Sequence, residues 1–93
     1  MIGSFADKAT ERIWNQQYVK TIDRTLQRVA LRKLEILHAA HDVEDLRIPP
    51  GNRLEQLKGD RRGQHSIRVN DQWRICFTWT EGGAEDVELV DDH

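Results

Sequence analysis

The sequence predicts an α+β fold in which two N-terminal helices pack on one face of a mainly antiparallel β-sheet. Apolar residues recur at three- and four-residue steps between Arg24 and Ala40, as they do along the buried side of a helix. Two later runs, joined by Asn70-Asp71-Gln72, alternate strictly between apolar and polar residues, as half-buried strands do. Helices followed by consecutive strands are typical of folds whose helices cover one side of an antiparallel sheet. With 93 residues, the chain is expected to form one domain over residues 1–93.

The first half of the chain supplies an edge strand and both helices. Residues 1–5 alternate in polarity and predict a short edge strand. Asp7 can cap a first helix that runs to about Gln17, because its carboxylate can accept from exposed backbone N–H groups. The second helix is expected over Arg24 to Ala40, and residues 42–47 are expected to form a turn.

The second half is predicted to be a meander of strands around a central hairpin. Residues directly opposite each other in an antiparallel pair point to the same face, so apolar residues must meet apolar residues. This condition selects a three-residue loop that pairs Ile67 with Ile75 and Arg68 with Arg74. Like charges placed side by side are unfavourable, so an anion is expected between the two arginines. The other expected elements are a stiff loop at 48–52, a strand at 53–57, a basic loop at 58–63, a turn at 81–84 and a last strand at 86–90.

Charge is distributed unevenly along the chain, although the formal net charge is only −2. Residues 1–45 are balanced. Residues 46–77 hold seven basic and three acidic side chains, and residues 78–93 hold six carboxylates with no lysine or arginine. Six of the seven basic groups are arginines, whose planar fork suits phosphate. The middle segment is therefore a candidate surface for a polyanion, with an ordinary solvated surface as the alternative.

The compartment is predicted from cysteine usage and from the N-terminus. The one cysteine, Cys76, cannot form a disulfide within the chain, which favours a reducing, cytoplasmic setting. The N-terminus lacks an apolar signal segment, and no apolar run reaches membrane-spanning length. Export and membrane insertion are therefore not expected.

The chemistry within reach is limited to cations, carboxylates and histidine. No glycine-rich phosphate loop, zinc-ligand spacing or nucleophile elbow is present, so neither a metal nor a cofactor is expected. RNA can be cleaved without a metal by a base, an acid and cations that hold the phosphate. The arginines, Lys58, His65 and the terminal Asp91-Asp92-His93 could supply these groups. A solvated tail is the alternative interpretation of the terminal cluster.

A resemblance to a known family sharpens this interpretation. Residues 46–79 resemble the HigB branch of the RelE/ParE superfamily, the toxins of bacterial type II toxin–antitoxin systems. The match depends on a double-proline loop and on a run centred on the hairpin loop. These motifs read Leu46-Arg47-x-Pro49-Pro50-Gly51-Asn52-Arg53-Leu54-Glu55 and Ser66-Ile67-Arg68-x-Asn70-Asp71-Gln72-Trp73-Arg74.

The resemblance implies an endoribonuclease that cuts messenger RNA in the ribosomal A site and so inhibits translation. It implies a helix-turn-helix antitoxin of the HigA type as partner, besides the ribosome and mRNA. It implies phosphate-binding roles for Lys58, Arg68 and Arg74, and an acid–base role for His93 beside Asp91. The expected catalytic set is therefore His93, Asp91, Arg74 and Lys58, and the expected RNA-binding set is Arg68, Arg61, Arg62, Arg53 and His65.

Two departures and two alternatives accompany the resemblance. The family tail commonly reads Asp-Tyr-His, where this chain has Asp92, and some relatives place a histidine where it has Glu55. His65 could be a packed histidine at the edge of the core or a catalytic one. The same superfamily includes toxins that bind DNA gyrase, and a degenerate toxin could bind only its antitoxin. An induced DNA-damage response without RNA cleavage on ribosomes would favour the gyrase toxin, and absence of growth arrest would favour the degenerate one.

Overall fold

A computed structural model describes residues 1–92 and shows two α-helices beside a four-stranded antiparallel sheet. The strands follow the order β1-β2-β3-β4, so every strand neighbours the next one in the chain. This arrangement confirms the predicted α+β class. The elements are α1 (Lys8–Trp14), α2 (Arg24–Ala39), β1 (Glu55–Gln56), β2 (Gln64–Arg68), β3 (Trp73–Thr80) and β4 (Gly83–Asp91), with short 3₁₀ turns at Val43–Arg47, Pro50–Asn52 and Gly59–Arg61.

Both helices begin at aspartate caps. The side chain of Asp7 accepts a hydrogen bond from the backbone N–H of Thr10 at 3.3 Å, and Asp23 accepts from Leu26 at 3.1 Å. Helix α2 has the predicted bounds to within one residue. Helix α1 ends at Trp14 rather than about Gln17, because Gln16 takes a left-handed conformation with φ 60° that a helix cannot continue.

The edge strand expected at residues 1–5 is reduced to two isolated bridges along the edge of β4. Ile2 bridges to Ala84 and Phe5 bridges to Val87, both in parallel orientation. The backbone N–H of Ile2 also donates to Nδ1 of His38 in α2, at 3.1 Å. The N-terminus is therefore tied to both the sheet and the helix layer.

The central hairpin has the predicted register. Ile67 pairs with Ile75 and Arg68 pairs with Arg74. The backbone N–H of Val69 donates to the carbonyl of Trp73 at 2.9 Å and so closes the three-residue loop. We call the side of the sheet that carries Ile67 and Ile75 the back face, and the side that carries Arg68 and Arg74 the front face.

Helix α2 packs on the back face and forms the core with it. Leu34 and Leu37 of the helix and Ile67, Ile75 and Phe77 of the hairpin are all completely buried in one cluster. Each element is apolar on one side only, so burial of the two sides against each other supplies the main driving force for the fold.

The structure corrects three of the predicted elements. The strand expected over 53–57 is reduced to Glu55–Gln56, because Arg53 turns the chain with φ 44°. The last strand begins at Gly83 and ends at Asp91, and its pairing with β3 is irregular between Cys76 and Thr78. The turn at 42–47 is a 3₁₀ helix, which Asp42 and Asp45 cap reciprocally. Within residues 1–92, no helix combines the length and apolar character needed to cross a membrane.

Candidate functional site

Arg74 is the fixed centre of the front face. Arg74 is only 8% exposed, and the Nε of its guanidinium donates to Oγ of Ser66 at 2.7 Å. Its Nη2 donates to the backbone carbonyl of Arg53 at 2.7 Å and lies 3.7 Å from Oε1 of Glu55. Nη1 has no hydrogen-bond partner among residues 1–92. The guanidinium is therefore held from two sides with one end left over for a ligand.

The double-proline loop supports Arg74 through its last residues. Asn52 is completely buried, and its Nδ2 donates to the carbonyl of Leu46 at 3.1 Å and, at 3.4 Å, to that of Ile48. Its Oδ1 accepts from Nζ of Lys33 in α2 at 2.7 Å. These contacts fix the backbone immediately before Arg53, so the Arg53 carbonyl is directed at Arg74. Amide side chains are well suited to this because they donate and accept at once.

Arg68 lies next to Arg74 across the hairpin, but its environment is different. Its side chain is 32% exposed and pairs with Asp71, whose side chain is fully exposed in the hairpin loop. An ion pair with so exposed a partner contributes little to stability. A phosphate can therefore replace Asp71 at small cost.

Charged groups of both signs surround Cys76 at the centre of the front face. Arg61 reaches across the sheet from the basic loop and pairs with Glu88 of β4 at 3.2 Å. Burial raises the pKa of the Cys76 thiol, with Glu88 and Asp92 raising it further, while Arg61 and Arg74 lower it. The thiol is thus kept protonated and unreactive, and Asp92 lies near enough to share this face with the arginines.

Asp91 lies on the other side of the sheet from the arginine pair. Its register partner in β3 is Trp73, which follows the back-face alternation of Ile75. Its Oδ2 accepts a hydrogen bond from Nε2 of Gln72 at 3.1 Å. The strand keeps its register to this residue, so Asp91 and Arg74 are not brought together. His93, the predicted acid–base residue, lies outside the described residues.

His65 also lies on the back face, as the alternation predicted. Its ring stacks on Phe77 with centroids 6.1 Å apart and an angle of 19° between the planes. Its Nδ1 is buried and has no hydrogen-bond partner within residues 1–92. His65 is therefore packed at the edge of the core, away from Arg68 and Arg74.

The remaining predicted cations lie in the loops on either side of β1. Lys58 and Arg62 flank the 3₁₀ turn at Gly59–Arg61, and Arg53 ends the turn at Pro50–Asn52. All three are exposed, and none forms an ion pair within residues 1–92. They could contact an extended polyanion around the fixed arginine.

Sequence reasoning missed three residues that build this site: Ser66, Asn52 and Glu88. Ser66 was detectable, since it alternates with Arg68 on the front face and faces Cys76 in the register. The spacing of residues in the sequence did not identify Asn52, because a buried amide can be identified only from its hydrogen-bond partners in the folded protein. No group of three or more His, Cys, Asp or Glu side chains within residues 1–92 could hold a metal ion.

Comparisons with known proteins agree with the motif resemblance and extend it over nearly the whole chain. The model of the HigB-like toxin family, described as RelE-like toxin of type II toxin–antitoxin system HigB, matches residues 3–93. The chain is 46% identical to Toxin HigB-1 of Vibrio cholerae serotype O1 over 81 residues, which cover 86% of this chain and 85% of that protein. It is 44% identical to Endoribonuclease HigB of Proteus vulgaris over 41 residues, 44% of this chain and 45% of that protein.

Proposed function

This chain belongs to the HigB-like toxin family, the RelE-like toxins of type II toxin–antitoxin systems, and from that premise we propose that it is an mRNA endonuclease that acts on the ribosome without a metal. The Proteus vulgaris relative carries the name Endoribonuclease HigB, and RNA cleavage is the chemistry that the cations of the front face can serve. A toxin of this type has an antitoxin partner. We propose that the partner is a HigA-like helix-turn-helix protein and that the toxin acts in the cytoplasm.

The observation that carries the proposed RNA site is the anchored guanidinium of Arg74 beside the exposed guanidinium of Arg68. The Arg74 group is held by Ser66 and by the Arg53 carbonyl, so little rotamer entropy is lost when a phosphate binds. Arg68 can exchange its exposed partner Asp71 for the same phosphate. Paired charges in fixed positions are what a pentavalent phosphate needs as negative charge develops on it.

The acid–base chemistry is assigned to His93. A histidine titrates near neutrality, so it can take the proton of the 2′-OH or protonate the leaving 5′-oxygen. Asp91 is proposed to orient it, and Asp92 is the carboxylate on the arginine side of the sheet. Lys58, Arg53, Arg61 and Arg62 are proposed to contact the RNA backbone. His65 is left out of this proposal because it packs on the back face.

The first experiment measures cleavage of a messenger on programmed ribosomes in the presence of a chelator that binds transition-metal ions but leaves the Mg²⁺ that ribosomes require. Wild-type protein should cleave, and His93→Gln should cleave about 10²–10⁴-fold more slowly, as expected for loss of an acid–base group. Wild-type rates in His93→Gln would contradict the assignment. Loss of wild-type cleavage on chelation would contradict the metal-free mechanism, and cleavage of ribosome-free RNA at the same rate would contradict ribosome dependence.

Expression of the protein in bacterial cells separates the two alternative functions, the gyrase-binding toxin and the degenerate toxin. Growth arrest with a DNA-damage response and no RNA cleavage would favour a gyrase-binding toxin. Full expression of folded protein without growth arrest would favour a degenerate toxin that binds only its antitoxin.

The second experiment separates the side chain of Arg53 from its backbone. Arg53→Gly keeps the carbonyl that accepts from Arg74, and glycine adopts the left-handed φ of 44° more easily. We expect the free energy of unfolding to stay equal or to rise by up to about 1 kcal/mol, while cleavage falls several-fold. Lys20→Gln removes an exposed charge that is distant in sequence from Arg53. This variant is the control and should cleave normally. Unchanged cleavage in Arg53→Gly would remove the Arg53 side chain from the proposed site.

A further inference from the structure

A pocket of about 350 Å³ lies in the helix layer, apart from the site described above. Pockets that bind ligands commonly measure about 300–1,000 Å³. This pocket is lined by α1, α2 and the connection between them, and none of the described sheet residues lines it. Ile13 and Leu31 supply apolar surface, whereas Tyr18, Arg24 and Arg28 supply an aromatic ring and two cations. The pocket can therefore hold a side chain that is partly apolar and partly anionic.

A glutamine of α2 fixes the connection that carries Tyr18. The side-chain carbonyl of Gln27 accepts from the backbone N–H of Val19 at 3.1 Å. Its Nε2 donates to the backbone carbonyls of Val19 at 2.8 Å and Ile22 at 2.7 Å. Val19 is also buried, so the backbone directly after Tyr18 has a fixed position. The pocket is therefore formed before a partner binds, which reduces the entropy that binding costs.

Tyr18 and Arg24 form an exposed aromatic–cation pair at this pocket. The Cζ atom of Arg24 lies 4.9 Å from the centroid of the Tyr18 ring, a distance typical of a cation–π contact. The ring is nevertheless 57% exposed, so most of its apolar surface is available to a partner. Tyrosine and arginine are among the residues that contribute most to binding between proteins. The pair is therefore a candidate anchor point for another protein.

The charges of Arg24 and Arg28 are not balanced by a neighbouring carboxylate. The two arginines are one turn apart in α2, and like charges at this spacing repel each other. Both are exposed, and neither forms an ion pair within residues 1–92. A carboxylate bound beside them would reduce the repulsion and could accept hydrogen bonds from the guanidinium groups. The pocket therefore complements an acidic segment that also carries an apolar side chain.

We propose that this pocket is a docking site for the antitoxin and that it binds an acidic segment with an apolar anchor residue. A toxin of a type II system has an antitoxin partner, so part of its surface must bind that protein. RNA would also be attracted by the two arginines, but a concave pocket with apolar surface favours a protein side chain over a phosphate backbone. The inference depends on family membership and not on the RNA site, because the helices cover the back face and the arginine pair lies on the front face.

The first test reverses one charge at the pocket. Calorimetry measures the affinity of the full chain for its purified antitoxin, the protein encoded by the partner gene of the toxin–antitoxin system. Arg28→Glu should weaken binding about 10–100-fold, because an attractive contact becomes repulsive. Arg32→Glu is the matched control: Arg32 is the next exposed arginine at the same spacing in α2, and it does not line the pocket. The control should change the affinity by less than about threefold.

The second test concerns the aromatic ring. Tyr18→Ala should weaken antitoxin binding about tenfold, whereas Tyr18→Phe keeps the ring and should stay within about twofold of wild type. Thermal unfolding of each variant is measured in parallel, and Arg28→Glu and Tyr18→Phe are expected to unfold near the wild-type temperature because both positions are exposed. Cleavage of a messenger on programmed ribosomes is measured as well and should be unchanged in all four variants.

Three results would overturn the inference. The first is antitoxin binding as tight as wild type in both Arg28→Glu and Tyr18→Ala. The second is equal weakening by Arg28→Glu and Arg32→Glu, which would indicate a general attraction of charge rather than this pocket. The third is loss of messenger cleavage with unchanged antitoxin binding, which would mean that the pocket arginines contact RNA. Absence of cleavage by the wild-type protein would contradict the proposed function and leave the docking site standing.

Discussion

The β2–β3 hairpin and the segment from Arg47 to Gly63 lie side by side and meet at Arg74, yet they are held in place in different ways. The hairpin is fixed by many apolar contacts on its back face, where Ile67, Ile75 and Phe77 are completely buried. The segment holds only the two-residue strand β1 and short 3₁₀ turns, and besides the pairing of β1 with β2 its position depends on a few hydrogen bonds of Asn52 and of the Arg53 carbonyl. Apolar burial is additive and non-directional, whereas each buried hydrogen bond depends on one particular partner.

This difference explains why the hairpin could be derived from the sequence and the loop could not. It also determines how each region should respond to mutation. Truncation of a buried apolar side chain in the hairpin removes contacts with the surrounding core residues, so the whole fold loses stability. Truncation in the loop leaves specific buried groups without partners, so the damage begins locally, around the front-face cations.

The largest effect is expected from Phe77→Ala. Phe77 is completely buried between the hairpin and α2, so its loss leaves a cavity that the core cannot close. We expect the free energy of unfolding to fall by about 3–5 kcal/mol, which approaches the whole stability of a small protein. Chemical denaturation followed by tryptophan fluorescence measures the change. A loss below about 1 kcal/mol would mean that the helix and hairpin do not share one core.

An intermediate effect is expected from Asn52→Ala. The substitution removes the partner of the Leu46 carbonyl and of the Lys33 ammonium, both at the inner side of the loop. We expect a loss of about 2–3 kcal/mol, with faster amide hydrogen exchange concentrated in residues 46–53. Asn15→Ala, which changes an exposed asparagine at the end of α1, is the matched control and should be nearly neutral. Uniformly faster exchange over the whole sheet would show that the loop is not a separate unit.

The smallest effect is expected from Gly51→Ala in the same loop. A Cβ at this position would meet no atom within 4 Å, and the glycine does not need a left-handed φ. Alanine should therefore be neutral or stabilise by up to about 1 kcal/mol, because it restricts the unfolded chain. Gly83→Ala is the contrast: φ is +119°, and the new Cβ would lie 2.1 Å from the carbonyl oxygen of Met1. A loss in Gly51→Ala comparable to that in Gly83→Ala would contradict the view that the loop is held by the hydrogen bonds of Asn52 and of the Arg53 carbonyl rather than by packing around Gly51.

The candidate site, like the fold, has one part that the sequence predicted and another part that only the structure revealed. The side-by-side placement of Arg68 and Arg74 followed from the alternation and the loop length, and the register confirms it. The burial of Arg74 under Ser66 and the Arg53 carbonyl did not follow, because alternation assigns a face but not the partners on that face. Lys33 lies outside the apolar spacing of α2, and only the adjoining loop reveals its hydrogen bond to Asn52.

By itself, the sequence determined the α+β class, the Asp7 cap of the first helix, the hairpin register and the family motifs. Each of these depends on residues close together in the chain or on a strict period, so local chemistry is sufficient to specify them. Only the tertiary structure decided which cations are anchored, which carboxylate shares their face and how the double-proline loop supports them. Those contacts join residues far apart in sequence, such as Lys33 with Asn52 and Arg61 with Glu88, and their formation depends on how the helix and sheet layers pack.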